Sequence, residues 1–129
     1  MVKVSVTKQS NYPVGATVIK KRLSAFLAKQ GIVSTAEVSV AIVGESKMLD
    51  IGNKYLHDKK LHNVLSFTPT ETKGDFKFPP DGIIHLGEIV ICYPLAVKES
   101  AEENVLINER VCDLVEHGAL HLLGIHHAE

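Results

Sequence analysis

Val2, Val4 and Val6 alternate with Lys3, Ser5 and Thr7, a period of two that places one face of a strand against a core. The period then changes. After the turn signal Asn11-Tyr12-Pro13-Val14-Gly15, Val18, Leu23, Phe26 and Leu27 recur at helical spacing until Gly31, which predicts a helix ended by glycine. Residues 36–43 are apolar and β-branched enough for a second strand, closed by Gly44. Ser46 is then expected to cap a helix running to about Tyr55, with Met48, Leu49 and Ile51 as its apolar members. Val64 to Phe67 reads as a short strand. Thr68 to Gly82, rich in Thr, Lys, Gly and Pro, reads as the longest loop, of the kind that is a lid, a binding loop or a disordered segment. A further strand is predicted over 83–92 and a helix from Pro94 to about Glu103. Leu106 to Leu123 is the last and most apolar helix, its buried surface supplied by Val111, Leu114, Val115 and Leu122. Strands that alternate with helices, two of them adjacent near residues 64–92, predict an α/β or α+β fold in which helices pack on a mixed sheet.

Composition narrows the class. A chain of 129 residues that is 45% hydrophobic suits one domain, 1–129, with a real core and no staples. Its net charge of −1 means that any contact with nucleic acid needs a local basic patch and not a global field. Cys92 and Cys112 stand apart, with no C-x-x-C pair, and are expected as reduced, buried thiols. The opening residues alternate too weakly for a signal peptide, and no run approaches the ~18 apolar residues of a membrane span. A cytoplasmic protein with no membrane contact is the expectation.

The densest chemistry lies at the end, in His117-Gly118-Ala119-Leu120-His121-Leu122-Leu123-Gly124-Ile125-His126-His127. His117 and His121 are four residues apart, so on a helix they project from one face about a turn from each other and can share a cation. A glycine at 124 can end the helix in a left-handed turn and fold the following residues back toward that face. His127 is the residue placed to return, with His126 as the alternative third ligand. The register H-x3-H-x2-G-x2-H has the His and Gly positions of the extended zinc-protease motif, but Gly118 stands where that motif puts its glutamate base, which disfavours such a protease. Three neutral imidazoles without a thiolate suit one Zn2+ per chain and leave a coordination position for water, the stoichiometry of a catalytic site. A closed structural site, with His126 or a carboxylate as fourth ligand, is the other arrangement these residues permit.

Three separated segments carry a family resemblance. His117-Gly118-Ala119-Leu120-His121-Leu122-Leu123-Gly124-Ile125-His126-His127, Asn63-Val64-Leu65-Ser66-Phe67 and Leu86-Gly87-Glu88-Ile89-Val90-Ile91 resemble, in order and spacing, the signatures of the YbeY-type rRNA maturation endoribonucleases. The resemblance covers roughly residues 36 to 127. It implies a mixed α/β fold, a zinc ion held by His117, His121 and His127, and single-stranded RNA cleavage during ribosome maturation, at or near the small ribosomal subunit or its assembly factors. Three positions depart from the family pattern. His126 replaces an Asp before the last His; Leu56 follows Tyr55 where the family usually has an Arg; and the sequence ends at Glu129, where relatives continue into an acidic helical tail.

For proton transfer the candidates are His126, with Glu116 and Asp113 on the same helix; Asp113 is favoured as the acceptor that holds a ligand imidazole. Phosphate contacts fall to Lys59 and Lys60, with Lys54, Lys73 and Lys77 beside them, while Lys20, Lys21 and Arg22 are expected on the wet side of the first helix. Tyr55, Phe76 and Phe78 are the aromatics available to stack on unpaired bases. Glu88 is expected to cap or solvate a strand end. His57, His62 and His85 are expected as hydrogen-bonded structural or surface residues. A zinc-dependent single-strand endoribonuclease is the leading expectation; a zinc hydrolase of another substrate and an assembly protein with a structural zinc are the alternatives.

Overall fold

The computed structural model describes residues 2–71 and 82–124. Among these, strands β1 (Val2–Lys8), β2 (Ala36–Val43), β3 (Val64–Phe67) and β4 (Ile84–Cys92) form one sheet in the order β1-β2-β4-β3. β1, β2 and β4 run parallel, and β3 pairs antiparallel with β4 on the edge, so the sheet is mixed as the pattern predicts. The helices are α1 (Ala16–Lys29), α2 (Glu45–Leu56), α3 (Tyr93–Glu103) and α4 (Ile107–Leu122).

Alternation along the strands builds two cores, one on each face of the sheet. On the first, Val38, Val40 and Ile42 of β2 and Ile89 and Ile91 of β4 pack with Ile19, Leu23 and Leu27 of α1, Ala96 of α3 and Val111, Val115 and Ala119 of α4. On the second, Val43, Val90, Cys92 and Phe67 pack with Met48 of α2. Cys92 and Cys112 are buried and unbridged, and burial pushes both thiols up.

The element boundaries follow the periodicity closely, and the differences have local causes. Ile19, not Val18, joins Leu23 and Leu27 on the buried stripe of α1, since 19, 23 and 27 share a face at four-residue spacing; Val18 is 45% exposed. Gly44 is the N-cap of α2, its N–H held by Gln9 Oε1 at 2.7 Å, and Ser46 lies two residues further on, inside the first turn and past the capping position. His57 ends α2 in a left-handed conformation (φ 54°), and Asn104 does the same for α3 (φ 58°), letting Val105 N–H bond Ser100 O at 3.0 Å.

One irregularity governs which side chains face which core. Between Glu37 and Val38 of β2 the register on β4 jumps from His85 to Gly87, so Leu86 is an extra residue in a β-bulge. Gly87 sits there at φ 133°, and a Cβ at that position would lie 2.1 Å from Phe67 O and 2.9 Å from Leu122 Cδ2. The bulge resets the alternation of β4. Leu86 shares the first core with Ile89 and Ile91, and Glu88, instead of lying between them, turns to the α2 face beside Val90.

Candidate functional site

His117 and His121 project from the exposed side of α4, whose opposite side is buried along Val111, Leu114, Val115, Gly118, Ala119 and Leu122. Two imidazoles are thus carried on a helix clamped to the sheet. Gly118 explains why no glutamate stands between them. Its missing Cβ would lie 2.8 Å from Ile89 Cγ2, so position 118 faces the sheet and not the imidazoles. α4 ends as the sequence predicts. Gly124 has φ 77°, with its N–H bonded to His121 O at 3.0 Å, and thereby turns the chain left-handed after the second histidine. His126 and His127 lie outside the described residues, as do Lys73, Phe76, Lys77 and Phe78. Among the described residues no third ligand joins the pair to make a group of three.

A carboxylate that the sequence does not advertise stands beside the pair. Glu71, four residues beyond the end of β3, places Oε1 3.5 Å from His121 Nε2. A turn holds it there, with Thr68 N–H donating to Glu71 Oε1 at 2.8 Å and Glu71 N–H directed at Thr68 Oγ1 at 3.4 Å. Burial pushes the Glu71 carboxyl up, but the hydrogen bonds from Thr68 and the charge of His121 outweigh it and leave it below the ordinary value. At 3.5 Å the contact is an ion pair when the imidazole is protonated, and a neutral His121 keeps the carboxylate as its neighbour. Fifty residues separate the two, and no periodic pattern links them.

The acids of α4 serve elsewhere. Arg22 of α1, expected on a wet face, reaches across to Glu116 (Nε to Oε2, 2.8 Å), Glu109 (3.3 Å) and Asp113 (3.5 Å). Asp113 is therefore drawn toward α1, not toward an imidazole, and Glu116 is half-buried in an ion pair. On the far side of α4, Arg110 binds Glu99 at 2.8 Å, and Glu99 also accepts from Asn63 Nδ2 at 3.0 Å. The strand motif is pinned at its first residue by α3 and α4 together. His85 and His62 are structural in the manner expected, paired with Glu37 (2.8 Å) and Asp58 (3.0 Å). Lys59 and Lys60 are exposed on the connection between α2 and β3. Leu56, at the last turn of α2, is 45% exposed.

On the opposite face of the sheet α2 leaves a cleft of about 220 Å3, lined by Lys47, Asp50, Lys54, Tyr55, Phe67 and Glu88. Tyr55 and Phe67 rings meet at 4.9 Å between centroids, and Lys54 Nζ lies 5.0 Å from the Tyr55 centroid. Glu88 belongs to this wall and caps no strand end, because the bulge turned it inward. Burial holds its carboxyl above the ordinary value, only partly opposed by the charge of Lys47. A folded-state value that is raised makes the protein lose stability as pH rises from the usual carboxylate range through that value. Glu88→Gln should therefore gain little in melting temperature over the parent below about pH 4 and gain progressively more toward neutrality. A difference between the two proteins that stays flat from acid to neutral pH would contradict the burial.

A mixed α+β domain with two exposed histidines on the face of its last helix is a frame suited to a metal centre, and comparison with known proteins places it more narrowly. The family model "Endoribonuclease YbeY" matches residues 5–129, and the chain belongs to this family. The Endoribonuclease YbeY of Dehalococcoides mccartyi strain BAV1 is 33% identical over 123 residues, covering 90% of this chain and 77% of that one. That of Geobacter sulfurreducens is 32% identical over 128 residues, covering 98% and 81%. A Thermotoga maritima protein known from its solution structure superposes with a TM-score of 0.59 at 20% identity, over 97% of this chain and 75% of that one, and so shares the fold. Among the described residues no helix is long and apolar enough to cross a membrane.

Proposed function

We propose that this protein is a zinc-dependent endoribonuclease that cuts single-stranded RNA in rRNA maturation, working in the cytoplasm at or near the small ribosomal subunit. The observation that supports it best is the pair His117 and His121, exposed on a core-anchored helix with the Glu71 carboxylate 3.5 Å from His121. Family membership supports RNA as the substrate. His117, His121 and His127 would hold the zinc, a donor set of neutral imidazoles that this metal accepts. When bound, zinc supplies positive charge against phosphoryl oxygens and lowers the pKa of water to near ~7. Burial of the opposite side of α4 fixes the backbone that carries His117 and His121, which keeps the two positions one turn apart. Lys59 and Lys60 contribute monodentate attraction for the RNA backbone, and His126 is the imidazole available beside the ligands to move a proton.

The test is a panel of unstructured RNA, duplex RNA and ribosomal RNA incubated with zinc-loaded and chelator-treated protein. Unpaired RNA should be cut in preference to duplex, because an A-form groove offers little to the few side chains here, and cutting should stop with the chelator and return with zinc. The competing reading is a closed, structural zinc with Glu71 as its fourth ligand. Retained zinc with no cleavage of any RNA in the panel would establish that reading and end the nuclease proposal.

Leu56 provides a second test. It is exposed, so an arginine there buries no charge. If the position borders the RNA path, Leu56→Arg adds a charge-assisted, bidentate phosphate contact that should raise RNA affinity on the order of tenfold and leave stability within about 0.5 kcal/mol of the parent. Unchanged affinity in a filter-binding titration would place the end of α2 away from the RNA.

A further inference from the structure

The cleft between α2 and the sheet has no part in the chemistry above, yet it combines features that suit one ligand. Its volume of about 220 Å3 falls below the ~300–1,000 Å3 of pockets for drug-sized molecules, which leaves room for a single planar heterocycle. Ile51, Phe67 and Val90 supply apolar lining, Tyr55 adds an aromatic ring with a hydroxyl, and the charged groups are Glu88, Asp50, Lys47 and Lys54. We propose that this cleft is a base subsite that takes a guanine of single-stranded RNA, with the Glu88 carboxylate accepting hydrogen bonds from guanine N1–H and the N2 amino group. The proposal rests on the reading of the protein as an RNA enzyme and names the base that it selects.

The choice of base follows from hydrogen-bond inventory. An ionised carboxylate only accepts, and its two oxygens match two donors side by side on one edge. Guanine presents such a pair. Uracil presents a single imino N–H between two carbonyl oxygens that a carboxylate repels, and adenine and cytosine each set one amino group beside a ring acceptor. Recognition of unpaired bases by aromatic contact and by their Watson–Crick edges is the usual mode for single-stranded RNA. Two charge-assisted bonds also give Glu88 the partners that offset its burial, which Lys47 opposes only in part. Lys47 and Lys54, two turns apart on α2, supply positive charge for the phosphates on either side of the base.

Position in the fold connects the cleft to the histidines. Phe67 closes the cleft on one side, and its carbonyl abuts Gly87, which abuts Leu122, the residue after His121. β3 is the edge strand, and Glu71, just beyond its end, stands at His121. A strand of RNA crossing the end of β3 meets the cleft on one side and the imidazoles on the other.

The experiment titrates the zinc-loaded full chain with the 5′-monophosphates of guanosine, inosine and adenosine, read by backbone amide shifts. Guanosine monophosphate should bind about tenfold tighter than adenosine monophosphate, with shifts at Tyr55, Phe67 and Glu88, and inosine monophosphate, which lacks the N2 amino group, should fall between them. Glu88→Gln should reduce the guanosine preference to within about twofold with little change for adenosine. Equal affinities, shifts confined to other elements, or a preference that survives Glu88→Gln would each overturn the subsite; the inosine comparison needs no variant and so decides even if the substitution unfolds the protein. Cleavage of RNA by the same preparation without any guanosine preference would remove the subsite and leave the nuclease. Guanosine binding at Glu88 with no cleavage would do the reverse.

Discussion

His121→Ala should lose zinc and RNA cleavage together, each by ~100-fold or more, with the metal-free protein folded as before. The size of the effect comes from the number of ligands: with three imidazoles proposed for the ion, removal of one leaves two, too few to hold zinc against a chelator. The small effect on the fold comes from exposure. The His121 side chain is 43% accessible on the exposed side of α4, so truncation opens no buried cavity. Metal-free proteins must be compared, because bound zinc adds its own binding energy to the stability of the parent. Elemental analysis, melting temperature and cleavage of an unstructured RNA are the three measurements. Full zinc retention in the variant would sink the assignment of His121, whatever happened to activity.

Among the described glycines, Gly87 should tolerate alanine least. Two penalties coincide there. At φ 133° an L side chain is strained, and its Cβ would be 2.1 Å from the backbone oxygen of Phe67, an atom with no rotamer through which to retreat. Relief requires β3 to separate from β4 or the bulge to dissolve, and dissolving it turns Glu88 into the core beneath α4. A loss of about 4 kcal/mol or more, and a fall in melting temperature of roughly 10 °C or more, is expected. Gly31→Ala is the control. Gly31 also has positive φ, at 94°, but nothing lies within 4 Å of its added Cβ, so only the conformational cost of about 1 kcal/mol applies. Similar melting temperatures for the two variants would mean that the close approach at Phe67 is not rigid.

Both predictions turn on the same corner of the fold, where the end of β3, the bulge in β4 and the last turn of α4 meet. That corner is also where legibility in the sequence changes. The helical histidine pair and the glycine that ends α4 could be read directly, because each is a relation among residues less than two turns apart, and the backbone rise and twist of a helix fix such relations without help. The strand and helix boundaries were legible for the same reason. The period of two in β1 and β2 and the apolar stripe of α4 are local signals, and the mixed sheet followed from their order. Local signals erred where neighbouring positions were equally apolar, as with Val18 and Ile19 or with Leu49, which is exposed beside buried Met48, and where glycine and not serine took the cap, at Gly44.

The sequence by itself thus determined which elements form, the fold class, the family and the histidine pair. The tertiary structure decided what surrounds them. One extra residue in β4 reverses the side on which every later residue falls; Gly87 inside an apolar strand is a local hint of such a bulge, but neither its register nor its direction can be read without the partner strands. That reversal took Glu88 from a strand end to the wall of a cleft. Asp113 and Glu116 were legible as acids beside a histidine, but only the packing of α1 on α4 brings Arg22 within reach of both. Glu71 stands at His121 because the chain leaves β3 beside the end of α4, a contact across fifty residues. Such contacts depend on how whole elements dock, and docking is set by the summed burial of two cores and not by any short run of residues.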